Sequence, residues 1–322
     1  LGEEMNTTTN VKMSFSTMPW EIDHLLLTYN RIRNSLTHIN SNVKIHINSV
    51  LNLSNFVIDW EKSTLPKEYF IDKFNAMEYY FKDLCSIESY IYTGNAMYGC
   101  LDIQRESYQE NIDYYINICS DMNFNEHFIT HIIEAAKQLT NKYFVISPQI
   151  YKCWDSSWDI LVNKKFMSVP YEKCFDRNSN EIIKLTDDVI IRKLRGFKFA
   201  GWAELYNKAF YEKLVPVLDS WHGYGPWDLY AMSICFFAQN ANIDVVQYVL
   251  ENQIVWSYDS GTLKNENEHG GSGKLRTVYD NYVTKKMNKQ DQRSSTNIDF
   301  NLSQLLDNWV KYYNENLCED TK

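Results

Sequence analysis

From residue 11 to residue 147 the sequence alternates between two periodicities, and that alternation limits the possible folds more than any other feature. Residues 11–16 (VKMSFS), 43–51 (VKIHINSVL), 87–92, 112–119 and 143–147 read as strands. Between the first two, residues 21–36 place Ile22, Leu25, Leu26, Tyr29, Ile32 and Leu36 at helical spacing. Pro66 opens a second helical stretch carrying Phe70, Phe74, Met77, Tyr80, Phe81 and Leu84, and residues 126–139 form a third behind Asn125 as its cap. Strands that alternate with helices build βαβ units. The predicted class is therefore α/β, a Rossmann-like mixed, mainly parallel sheet flanked by helices.

Beyond residue 150 the pattern changes. Residues 153–158 (CWDSSW) and 170–180 read as loops, 189–194 and 196–201 as strands, and 202–214 as an aromatic amphipathic helix. Residues 221–227 (WHGYGPW) form a rigid turn before a buried helix at 228–240, and 245–258 continues the core. Residues 265–273 (NENEHGGSG) are a polar, glycine-rich loop suited to movement, and 301–317 is a closing helix. No repeat or linker forces two independent domains. The division expected is an α/β half, 5–150, continuous with an aromatic-rich half, 151–322; residues 1–4, ahead of Met5, read as a vector remnant.

At 322 residues, 44% hydrophobic and 23% charged, the chain can bury a core and is not disordered by default. The net charge of −9 argues against gripping duplex nucleic acid by its phosphates; the basic concentrations at 193–199 and 284–293 are short enough to be solvated faces. The 23 tyrosines either supply stacking faces for sugars and bases or reflect a low-GC genome. Seven cysteines, at 85, 100, 119, 153, 174, 235 and 318, include no C-x-x-C pair and read as reduced thiols of a cytoplasmic protein. No apolar run suits a membrane span.

Motif searches remove several classes. No G-x-G-x-x-G follows the first strand and no Gly-Lys-Ser or Gly-Lys-Thr occurs, which argues against dehydrogenase and P-loop readings. Nor is there an H-E-x-x-H or a G-x-S-x-G. What remains is Asp121, two residues past the 112–119 strand, at the edge where ligands of open α/β sheets gather. One carboxylate suits Mg²⁺ or Mn²⁺ there if a diphosphate brings further oxygens; alternatively Asp121 caps the turn into the helix at 126.

The run Gly99, Arg105, residues 112–119, Ser120 and Asp121 resembles the stretch of GT-A-fold glycosyltransferases in which an arginine region precedes a strand ending in an Asp-x-Asp metal motif. This chain departs from it in carrying Cys119 and Asn123, so a single Asp remains. Residues 221–228 (WHGYGPWD) are similar to the turn that precedes the acidic residue of many inverting members. That similarity implies Asp228 as general base for the acceptor hydroxyl, although Asp also suits the N-cap of the helix that follows.

The resemblance further implies His269, with His222 as competitor, as a second metal ligand on a closing loop, which tilts the metal toward Mn²⁺. It implies the turn Thr17, Met18, Pro19, Trp20 and Glu21 at the base and ribose, with Trp20 either stacked on uracil or in the core. It also implies Arg105, Lys274 and Arg276 around the diphosphate, although Arg105 beside Asp102 and Glu106 equally suits a surface ion pair. It spans roughly residues 11–280, and the texture is also similar to glycosyltransferases of large tailed phages.

The implied function is divalent-metal-dependent, inverting transfer from a nucleoside-diphosphate sugar to a hydroxyl of a glycan, protein or modified DNA base, away from any membrane. The alternatives are a catalytically silent sugar-nucleotide-binding module and a sugar nucleotidyltransferase. The latter calls for a glycine-rich basic loop that residues 17–21 lack.

Overall fold

The computed structural model describes residues 8–40, 42–55, 57–94, 103, 106–120, 122–150, 181–193, 203–219 and 245–257. Ten strands form one sheet: β1 (Thr9–Thr17), β2 (Val43–Asn52), β3 (Ser86–Tyr92), β4 (Tyr114–Ile118), β5 (Met122–Asn123), β6 (Tyr143–Ile150), β7 (Glu181–Lys184), β8 (Ile190–Lys193), β9 (Ala203–Asn207) and β10 (Val245–Ser257). Among the described residues the helices are α1 (Ile22–Leu36), α2 (Lys67–Phe81), α3 (Phe128–Gln138) and α4 (Lys208–Asp219), with a 3-10 turn at Pro19–Glu21.

The strand order is β3-β2-β1-β4-β9-β6-β10-β8-β7, with β5 attached to β10. Strands β3, β2, β1, β4, β6, β10 and β7 run one way, and β9, β8 and β5 run against them. The α/β architecture expected from the alternating periodicity, a mixed but mainly parallel sheet flanked by helices, is the one observed. None of the described helices is long and apolar enough to cross a membrane.

One sheet face is apolar. Val11 and Met13 of β1 lie opposite Ile45 and Ile47 of β2, Met13 also lies opposite Ile116 of β4, and Phe15 joins them in the same core cluster. Helices α1 and α3 bury Leu25, Tyr29, Ile32, Phe128, Ile129 and Ile132 in the same cluster. Each fully buried side chain of this size contributes about 1.5–3 kcal/mol. Tyr29 joins the layers, edge-on to Phe15 (5.3 Å) and to Phe81 of α2 (4.6 Å).

The opposite face is polar yet also buried. Ser14 is paired with Asn48 and Asn117, and Asn117 with Glu204, across four adjacent strands. Ser107 bridges Ser14 (2.7 Å) and Asn48 (2.9 Å) from above. Tyr211 of α4 stacks flat on Tyr115 at 3.8 Å.

Four local expectations are corrected. The helix expected over 202–214 is a strand, β9, followed by α4. β9 lies between β4 and β6 and buries Ala203 and Leu205 on one face and Glu204 and Tyr206 on the other, so no amphipathic alternation marks it. Helix α3 starts at Phe128, with His127 at its cap. The Asn125 side chain instead accepts the His127 N–H (3.0 Å), an Asx turn that delays the helix. The strand expected over 112–119 is limited to Tyr114–Ile118. Strands β5 and β7 were not anticipated. The expected strand at 196–201 and the expected helices at 228–240 and 301–317 lie outside the described residues, as do the loops at 153–158, 170–180 and 265–273.

Candidate functional site

The strand order places the site. The chain passes from β1 to β2 and β3 on one side, then crosses to β4 on the other side of β1, with all four strands parallel. The order therefore reverses between β1 and β4. In open α/β sheets the crevice outside the carboxyl ends of the strands at such a reversal is where ligands bind. The two segments that leave these carboxyl ends are residues 17–21, after β1, and residues 119–123, after β4.

Local chemistry shapes both turns. Met18 is extended (φ −80°, ψ 155°) and Pro19 presets the first helical dihedral behind it. The Glu21 carboxylate turns back, and its Oε2 accepts the Met18 N–H at 3.2 Å, while the Glu21 N–H donates to the Met18 carbonyl at 3.0 Å. The same Oε2 accepts the Ser120 hydroxyl at 2.8 Å, so one buried carboxylate ties the turn after β1 to the turn after β4. Thr28 of α1 grips the second turn as well. Its hydroxyl lies 2.8 Å from the Ser120 carbonyl and 2.7 Å from the Met122 carbonyl, the two residues flanking Asp121.

A second strand pair closes around the same connection. β10 follows β6 in parallel as far as Leu250 opposite Pro148, and pairing resumes at Ile254 opposite Gln149. The three residues between bulge out, with Asn252 in the left-handed region (φ 62°). Asn is among the few side chains that tolerate that conformation. The bulge is held at both sides: the Arg192 Nε donates to Glu251 Oε1 at 2.6 Å, and Gln253 Nε2 lies 3.0 Å from His131 Nδ1. Past it, Trp256 and Ser257 pair antiparallel with Asn123 and Met122 of β5. Bulges commonly re-aim a strand beside a site in this way.

Of the residues nominated from sequence, Thr17, Pro19 and Trp20 are at this edge and their side chains are buried. Among the described residues Thr17 Oγ1 and Trp20 Nε1 have no hydrogen-bond partner, and neither do Ser54 Oγ just past β2 or Asn123 Oδ1 in β5. Similar unpaired atoms occur away from the edge, at Ser35 and Asn42. Arg105, Asp121, His222, Asp228, His269, Lys274 and Arg276 lie outside the described residues. Glu106, the neighbour of Arg105, accepts the Tyr90 hydroxyl at 3.1 Å.

Sequence reasoning named Glu21 and Ser120 only as members of their turns, with no role of their own, and passed over Thr28. Their partners are 92 to 99 positions away, and no local pattern marks them. The S/T-x-x-E signature of a capping box was the nearest available signal, and here Met18 occupies the Ser/Thr position.

Among the described residues no three His, Cys, Asp or Glu side chains converge to hold a metal ion. Glu21 is a carboxylate already committed through Oε2 to Ser120 and Met18. The described chain thus frames the edge, and the carboxylate and imidazole nominated for a cation, Asp121 and His269, belong to segments outside it. At the opposite, amino-terminal edge, burial holds the Lys12 ammonium below its usual range, 3.9 Å from Glu88.

No protein-family model matches the sequence, and no curated protein matches it. Among solved structures the chain is similar to GalNAc-T7 in a crystal structure with UDP, GalNAc and Mn²⁺, at 11% identity and a TM-score of 0.48, covering 97% of this chain and 57% of that one. It is similar to 4-diphosphocytidyl-2C-methyl-D-erythritol synthase from Anaerococcus prevotii DSM 20548, at 9% identity and a TM-score of 0.36, covering 76% of this chain and 88% of that one. It is likewise similar to a CMP:2-keto-3-deoxy-manno-octonic acid synthetase complexed with CTP, at 9% identity and a TM-score of 0.35, covering 77% and 91%. At these scores the likeness carries nothing about activity.

Proposed function

We propose that the chain is a nucleotide-sugar-dependent glycosyltransferase that binds its donor between the turns after β1 and β4. The observation that carries this reading is the reversal of strand order between those two strands. It brings together at one carboxyl edge the turn containing Thr17, Pro19 and Trp20 and the connection containing Asp121. Because the three side chains of the first turn are buried, the turn meets base and ribose through its backbone.

On this reading Asp121, with His269, holds a divalent cation, Mn²⁺ or Mg²⁺, which when bound offsets charge on a leaving diphosphate. Arg105, Lys274 and Arg276 add positive charge around that diphosphate. Asp228 takes the proton from the acceptor hydroxyl as it attacks, so the anomeric carbon is inverted. The 265–273 loop closes over the donor and excludes water. The acceptor is a hydroxyl on a glycan, a protein or a modified DNA base. Release of free sugar from a panel of nucleoside-diphosphate sugars tests the reading: the wild type hydrolyses at least one donor slowly when no acceptor is present. Silence toward every donor, with and without Mn²⁺, sinks the assignment and leaves a binding module.

A further inference from the structure

We propose that Thr28 and Glu21 are positioning residues that set the 119–123 turn against the 17–21 turn, so that one nucleoside diphosphate can meet both. The inference rests on the reading of this edge as a sugar-nucleotide site.

Thr28 sits in the interior of α1, where a threonine hydroxyl ordinarily turns back to the carbonyl four residues earlier in its own helix. Here it reaches a chain more than ninety positions away. Its single proton is shared by the carbonyls of Ser120 and Met122, and the position is completely buried. Glu21, seven residues earlier at the N-cap of α1, holds the Ser120 hydroxyl and the Met18 N–H with one oxygen. The connection is further tied by the Met122 N–H, which donates to the Cys119 carbonyl at 3.3 Å.

Thr28 therefore holds the backbone carbonyls on either side of position 121, and Glu21, at the N-cap of the same helix, holds the Ser120 hydroxyl. Glu21 also holds the turn after β1. A connection that needed only to pass from β4 into β5 would be adequately satisfied by its own turn and by pairing with β10. The additional contacts fix the separation of the two turns, and a ligand that spans them is sensitive to that separation.

The test is titration calorimetry of the full chain with uridine against UDP, and with the guanosine, cytidine and adenosine counterparts, in MnCl₂. For the pair that binds wild type, Thr28→Val leaves the nucleoside Kd within about twofold and weakens the diphosphate about 10–100-fold, the scale seen when partners that orient ligand-binding groups are removed. Thr28→Ser keeps the hydroxyl and restores diphosphate binding. Ser120→Ala, which loses only the bond to Glu21, weakens the diphosphate to a lesser degree and carries the test if Thr28→Val does not fold. An unchanged diphosphate Kd in a folded Thr28→Val protein overturns the inference. So does an equal loss for nucleoside and diphosphate, or a Thr28→Ser protein that fails to recover. If wild type binds no nucleoside diphosphate at all, the reading of the edge fails and this inference falls with it; wild-type binding with an indifferent Thr28→Val removes this inference alone.

Discussion

Gln253 places its amide nitrogen 3.0 Å from Nδ1 of His131, joining the bulge of β10 to helix α3. In this arrangement the imidazole accepts and is neutral. His127 stacks on His131 at 5.6 Å, and His38 lies 4.9 Å from His127 in turn. Burial, and to a lesser extent His127, hold the His131 pKa below its ordinary 6.5, while Glu134 and Asp188 pull it upward. A depressed folded-state pKa favours the neutral form in the native chain. The corresponding stability is present above pH 6.5 and is lost as the pH falls through the lower, folded-state value. Melting curves collected from pH 7.5 to pH 5 should fall on the acid side, and His131→Gln, which keeps an acceptor but cannot titrate, should fall less. Equal slopes for the two proteins would remove His131 from the acid response.

Arg192 and Glu251 brace the other side of the bulge through a short bond, with both side chains largely buried. Removing one member of a buried ion pair leaves the other charge uncompensated, so Arg192→Met should cost about 3–5 kcal/mol in urea unfolding. The double variant Arg192→Met, Glu251→Leu should recover much of that loss. A double variant no better than the single would show that the pair holds the bulge by more than its own charge balance.

The Tyr115 hydroxyl both donates to the Gln109 carbonyl (2.8 Å) and accepts the Gln109 N–H (3.0 Å), fastening the segment before β4 to its polar face. Tyr115→Phe keeps the stack on Tyr211 and strips both bonds. The expected destabilisation is about 0.5–1.5 kcal/mol, the net worth of a typical hydrogen bond, because Gln109 is exposed and its carbonyl also accepts the Ile112 N–H at 3.3 Å. A loss well above that range would mean that the hydroxyl holds the segment by more than these two bonds.

Asp121→Ala should lower transfer and donor hydrolysis by ~10²–10³ if its carboxylate acts on developing charge, while the melting temperature stays close to that of wild type. The described contacts that fasten the connection run from Thr28 to the Ser120 and Met122 carbonyls and from Ser120 to Glu21. Full activity in the variant would strip Asp121 of its proposed role.

Much of the frame was legible because it depends on local pattern. The helical spacing of Leu25, Tyr29 and Ile32 and the alternation of Val11, Met13 and Phe15 with polar residues arise from one apolar face per element, and periodicity reads that well. β9 escaped because both of its faces are buried: with Leu205 and Tyr206 equally inaccessible, two-residue alternation vanishes, and the strand runs directly into α4, so the two read as one helical stretch. β5 escaped because two residues carry no period, and its pairing depends on a bulge set 130 residues later in the chain. At the candidate site the turns were found by their place after strands. The residues that join them, Glu21, Thr28 and Ser120, are ordinary in sequence and acquire meaning only through contacts that the folded sheet creates.

Thermal denaturation of wild type and Asp121→Ala against UDP-, GDP-, CDP- and ADP-sugars, each with and without Mn²⁺, bears most directly on the donor site between β1 and β4. At least one donor with Mn²⁺ should stabilise the wild type, by about 2.7 kcal/mol at 100 times its Kd, and should stabilise the variant much less. Melting curves of the wild type that none of these donors moves, in either metal condition, would contradict a sugar-nucleotide site at this edge.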